Sequence, residues 1–166
     1  MVCRKASASP RQKNLFTKIL HQNIRGLLAN KSIMCQILHG FRNIHIFSVS
    51  ETHLSLESET EVQIEGYTFI AKSKASGQGG GVGVYISSSI TFQRRMDLEQ
   101  GDIECIWIEI LFPKTKGFLV DIIYRPADST KHLCIDFNCK HLNQCFRRCQ
   151  LKTNNVFSQV TFNVTF

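Results

Sequence analysis

No stretch of this 166-residue chain holds the roughly 18 consecutive apolar residues that a membrane-crossing helix needs. The basic opening, Met1 to Lys18, has no acidic residue and no apolar h-region, so it lacks the mark of a secretory signal. Residues 1–17 read as a frayed basic arm, in preference to a transit peptide. There is no CxxC pair, although the chain has seven cysteines, an odd number. Cys134, Cys139, Cys145 and Cys149 crowd together with His132 and His141 among them, at irregular gaps in a helix-like stretch. Structural zinc sites favour tight knuckles, so reduced structural thiols are preferred over zinc and over disulfides. Thiols kept reduced point to an intracellular compartment. No internal repeat and no interdomain linker interrupts the sequence, and residues 18–166 are expected to form one domain.

What is present is an ordinary globular composition, 43% hydrophobic and 20% charged. It excludes a disordered chain and allows a real core. The formal net charge is +7. Such an excess favours polyanionic partners, because neutralised phosphates release counterions. It is spread along the sequence rather than gathered in a stripe, so it permits nucleic-acid binding without proving it.

Lys18 to Gln22 is an apolar strand that ends in a polar corner, Asn23-Ile24-Arg25. After Gly26, the spacing of Leu27, Leu28, Ile33, Met34, Ile37, Leu38 and Phe41 suits one helical face, which Gly40 stops. Ile44 to Val49 is a second apolar strand running into Ser50-Glu51-Thr52-His53. Gly66 to Ile70 reads as a strand, Gly77 to Gly81 as a flexible turn, and Val82 to Ile86 as the strand it feeds. Ile103 to Phe112 and Phe118 to Tyr124 make a hairpin across Pro113 to Gly117. Beyond Pro126, Ser129 caps a helix running to about Arg148, and Val156 to Val160 is a final strand. This order predicts an α/β fold, a two-layer β-sandwich of mixed sheets flanked by helices.

Polar residues stand where the apolar strands end: Asn23, Glu51, Tyr124 and Asn163. Strand ends along one edge of a sandwich can converge on a pocket although they are distant in sequence. A carboxylate there suits Mg²⁺, a hard ion that takes one or two carboxylates and keeps waters and substrate phosphates. Each residue alone also has an ordinary explanation. Asn23 can cap the following helix, Glu51 can be a solvated loop residue, and Tyr124 a half-buried aromatic at a strand end.

Five runs occur in a fixed order: Asn23-Ile24-Arg25, Ser50-Glu51-Thr52, Gly79-Gly80-Gly81-Val82, Ile103-Glu104 and Tyr124-Arg125-Pro126. Together they make the chain, from about Lys18 onward, resemble the endonuclease domain of non-LTR (LINE-type) retrotransposons, within the DNase I-like endonuclease/exonuclease/phosphatase superfamily. The resemblance implies nicking of DNA with Mg²⁺ or Mn²⁺. It implies Glu51 as the metal-binding glutamate and Asn23 as the asparagine that orients the metal shell. Tyr124 matches the tyrosine that contacts the phosphate as charge develops. Gly79 to Gly81 carries no catalytic role, and Arg125 and Pro126 shape the loop.

The family's next motif is Gly-Asp-x-Asn, whose aspartate helps to activate the attacking water. Asp136-Phe137-Asn138 comes too soon after Tyr124 and follows Ile135 rather than glycine. Val160-Thr161-Phe162-Asn163 is the preferred register, with Asn163 as the motif's asparagine and Thr161 where the aspartate belongs. Threonine is no base at neutral pH, and losing a positioned base costs about 10²–10⁴ in rate. The family's closing section, with a further aspartate and an Asp-His pair, does not appear before Phe166. The expectation is therefore an incomplete second half with uncovered apolar faces and sheet edges, marginal solubility, and little or no hydrolysis. Two other readings stand beside it. One is a non-catalytic nucleic-acid-binding remnant that rests on charge; the other is a phosphatase of the same superfamily. DNA as partner implies a nuclear location; no membrane and no small-molecule cofactor are expected.

Overall fold

The most buried strands form over mainly apolar, β-branched runs, which suit cover on both faces. The computed structural model describes residues 17–41, 44–55, 57–73, 80–99, 103–124, 147–150 and 161–164. In chain order the elements are β1 (Ile19–Asn23), α1 (Lys31–Gly40), β2 (Ile46–Ser50), β3 (Tyr67–Lys72) and β4 (Val82–Ser87). Then follow β5 (Thr91–Arg94), β6 (Cys105–Phe112), β7 (Thr115–Ile123), β8 (Arg147–Gln150) and β9 (Thr161–Val164). Short 3₁₀ turns lie at Glu57–Thr60 and Met96–Leu98. The fold is α/β and mostly strand, with α1 the one α-helix among the described residues.

The first sheet has the order β1-β2-β4-β3 and is mixed. β1 and β2 run parallel, with Asn23 opposite Ser50. β4 is antiparallel to both β2 and β3. The second sheet, β5-β6-β7, is an antiparallel meander. β8 and β9 pair as a separate ribbon, and β9 lies close to β7.

All five residues of β2 are buried. On one face Phe47 and Val49 join Leu27, Met34 and Leu38 in a cluster under α1. On the other, Ile46 and the β4 residues Val82, Val84 and Ile86 meet Ile106, Ile108 and Ile122 of the second sheet. Each such side chain contributes about 1.5–3 kcal/mol on burial, and residues of both sheets share this one cluster. At one edge Arg94 of β5 grips both carboxylate oxygens of Glu99, at 2.8 and 3.0 Å. Lys72 of β3 stands 3.8 Å from the same carboxylate, which ties the sheets together there too.

Several elements differ from the sequence reading. The helix starts at Lys31, because residues 27–30 form a turn that still buries Leu27. The hairpin is tighter than expected: Phe112 pairs with Thr115, so the loop is only Pro113-Lys114, with Lys114 at φ 65°. β5 was not anticipated. Arg147 and Arg148, expected to finish a helix, belong instead to β8, where Arg148 pairs with Asn163. Helical spacing says nothing of a partner strand, and here the pairing decides. The final strand is Thr161–Val164; Val156 to Val160 lies outside the described residues. So do the arm at 1–16, the rest of the predicted helix with Asp136, the segment 125–146 with Cys134, Cys139, Cys145, His132 and His141, and Gly77 to Gly79. Cys35 is a free thiol.

Candidate functional site

The strand directions bring five separated runs to one edge. β1 and β2 are parallel and finish together at Asn23 and Ser50. β4, antiparallel to β2, begins there, with Val82 opposite Ser50. In the second sheet Cys105 opens β6 opposite Ile123 at the close of β7. Tyr124 follows directly, and its amide donates to the Glu104 carbonyl at 2.9 Å.

At this edge Glu51 is the meeting point. Asn23 Nδ2 donates to Glu51 Oε1 at 2.8 Å, and the Tyr124 hydroxyl donates to the same oxygen at 3.2 Å. All three side chains are half-buried. Among the described residues no hydrogen bond reaches the other carboxylate oxygen, Oε2. Asn23 therefore does not cap α1; the cap position is Asn30, whose side-chain amide donates instead to the carbonyls of Ile24 and Gly26. Asn30 thus fixes the corner behind Asn23.

The backbone at Glu51 is left-handed, with φ 55°, and His53 repeats this at φ 51°. A side chain in that region costs about 1–2 kcal/mol, so the surrounding bonds must hold it. They come from both sides. Gly26 N and Leu27 N donate to the carbonyls of Glu51 and Thr52 at 2.7 and 2.9 Å. Thr52 N and His53 N donate to the carbonyls of Gly81 and Gly80 at 3.3 and 3.0 Å. Gly80 and Gly81 themselves lie at φ 83° and 87°, a conformation only glycine adopts freely. Gly81 N donates to Glu104 Oε2.

On β1, two residues before Asn23 and opposite Ser48 of β2, His21 is buried. Its Nδ1 lies 3.0 Å from Ser48 Oγ, and Nε2 lies 3.5 Å from Ser50 Oγ. Burial pushes its pKa down to about 4, against the opposing pull of Ser48, so the ring is neutral near pH 7.

Of the residues singled out in the sequence, Asn23, Glu51 and Tyr124 come together. Asn163 lies on β9, opposite Arg148, and its side chain is outside what is described. Glu104 and Asn30 are positioning groups that the sequence reading did not assign. In sequence Ile103-Glu104 is only a motif before an apolar strand, and nothing there shows where its carboxylate turns. The donor set fits a hard divalent cation: one carboxylate, oriented by two neutral donors on one oxygen, with no bond to the second. Among the described residues no group of three or more His, Cys, Asp or Glu side chains stands together. Comparison with protein-family models and with the curated proteins gives no match for this chain.

Proposed function

We propose that the edge built on Glu51 is the metal-anchoring part of a phosphodiester-hydrolysing site of the endonuclease kind, acting on DNA. The fold proposed with it is a DNase I-like two-layer sandwich flanked by helices. The observation that carries it is the Glu51 carboxylate, held in a costly backbone conformation by four backbone bonds and oriented by Asn23 and Tyr124. Strain maintained by so many contacts marks a position kept for its chemistry. The net charge of +7 supports a polyanionic substrate.

Glu51 would hold Mg²⁺ or Mn²⁺, with Asn23 keeping the carboxylate turned. When bound, the ion supplies charge to polarise a phosphate and stabilise a leaving oxygen. Tyr124 O–H is the group placed to donate to a phosphate oxygen as negative charge builds. Asn163 is proposed on the same site from the strand next to β7. Thr161, on that strand, offers no carboxylate to take a proton from water. Turnover is accordingly low or absent, and metal-dependent binding of DNA is the function retained.

The test compares DNA affinity with Mg²⁺ and with EDTA, for the wild type and Glu51→Gln, alongside plasmid nicking. Mg²⁺ should tighten wild-type binding about tenfold, the worth of one charge-assisted contact. In EDTA the order should reverse, because Glu51 then only repels phosphate and Glu51→Gln binds as well or better. A wild-type affinity that falls with salt but ignores EDTA would instead favour a binding remnant that uses charge alone.

A further inference from the structure

We infer that Glu104 is the positioning residue that sets Glu51, acting through the Gly80-Gly81 turn rather than touching metal or DNA. This rests on the proposed role of Glu51 as metal anchor. The two glutamates stand in different sheets, Glu51 after β2 and Glu104 before β6.

Three contacts make the link. The Glu104 carboxylate accepts from Gly81 N, and a charge-assisted bond to a backbone amide is among the stronger kinds. That carboxylate also lies flat over Gly80, where an added Cβ would sit 2.7 and 2.8 Å from its two oxygens. An added Cβ there would push the carboxylate aside. The turn so held presents the Gly80 and Gly81 carbonyls to His53 N and Thr52 N, the two amides that follow Glu51. Glu104 further accepts the Tyr124 amide on its own carbonyl, at 2.9 Å. One residue therefore fixes both the loop carrying Glu51 and the strand end carrying Tyr124, whose hydroxyl meets Glu51 Oε1.

Without the Glu104 carboxylate, Gly81 N loses its acceptor and the two glycines are free to leave their left-handed geometry. The bonds to Thr52 and His53 then loosen, and Glu51 relaxes towards an ordinary conformation. The effect is local, since the shared core cluster does not include Glu104.

The test measures Mn²⁺ affinity by electron paramagnetic resonance, amide hydrogen exchange at Thr52 and His53, and melting, on the full chain. Glu104→Ala should weaken Mn²⁺ binding about tenfold and speed both amides by a similar factor, the worth of one charge-assisted bond. Glu104→Gln keeps an acceptor oxygen without the charge, so it should return Mn²⁺ affinity to within about threefold of wild type. A merely structural role would lower the melting temperature and leave the affinity of the folded protein alone. Wild-type affinity and exchange in Glu104→Ala would overturn the inference. If the wild type itself binds no Mn²⁺, the proposed function fails, and the exchange rates at Thr52 and His53 still decide whether Glu104 positions the loop. Should Glu104→Ala not fold, Glu104→Leu, which keeps the bulk of the side chain without an acceptor for Gly81 N, decides: faster exchange at both amides upholds the inference and unchanged rates overturn it.

Discussion

Acidification from neutral pH to about pH 4, in EDTA, should remove about 3 kcal/mol of folding free energy through His21 alone. His21 sits on β1 with Ser48 and Ser50 of β2 against its ring. Burial lowers its folded-state pKa to about 4, whereas the unfolded side chain titrates near 6.5. Between those values the unfolded chain binds the extra proton and the folded one does not. Stability attributable to His21 is therefore fully present above the unfolded pKa and is lost as pH falls towards the folded one. Urea midpoints measured at several pH values across this window should fall together with pH. In His21→Gln, which cannot titrate, that part of the slope should vanish. An equal slope in the variant would mean that other groups carry the acid sensitivity.

Gly81→Ala should destabilise the fold by about 3 kcal/mol, from two separable causes. The first is backbone strain: φ is 87°, and an L side chain in the left-handed region costs about 1–2 kcal/mol. The second is crowding. An added Cβ would meet the Thr52 hydroxyl closer than real Cβ contacts come, and Thr52 is buried. Overpacking of this sort costs about 1–3 kcal/mol. Because the clash involves one side chain, Gly81→Ala and Thr52→Ala should not add. The double variant should recover the crowding part and leave the strain part, which a denaturation cycle on the four proteins measures directly. Simple additivity would show that the backbone conformation alone requires glycine there.

The strands were legible where apolar residues run unbroken. β2, β4, β6 and β7 come nearest to this, mainly apolar runs interrupted only by single polar residues such as Ser48, Glu109 and Asp121, and each has a largely buried centre. β5 was not legible, because Thr91-Phe92-Gln93-Arg94 is short and half polar and forms an edge of the second sheet. β8 was misread because two arginines, a cysteine and a glutamine carry no strand signal of their own, and only β9 makes them one. The choice of Asn23, Glu51 and Tyr124 came from motif order and strand ends, and the parallel register of β1 and β2 is what brings the first two together. The left-handed turn at Glu51 could not be read from sequence, since glutamate ordinarily avoids it. Nor could the path of the Glu104 carboxylate, which depends on how one sheet lies over the other.

Titration of Mn²⁺ into the wild type and Glu51→Gln, followed by electron paramagnetic resonance, tests the central claim most directly. The wild type should take up one tightly held class of ion, and Glu51→Gln should weaken it at least about tenfold, as expected when a charged ligand is removed. Equal binding in the two proteins would contradict the assignment of Glu51 as the metal anchor.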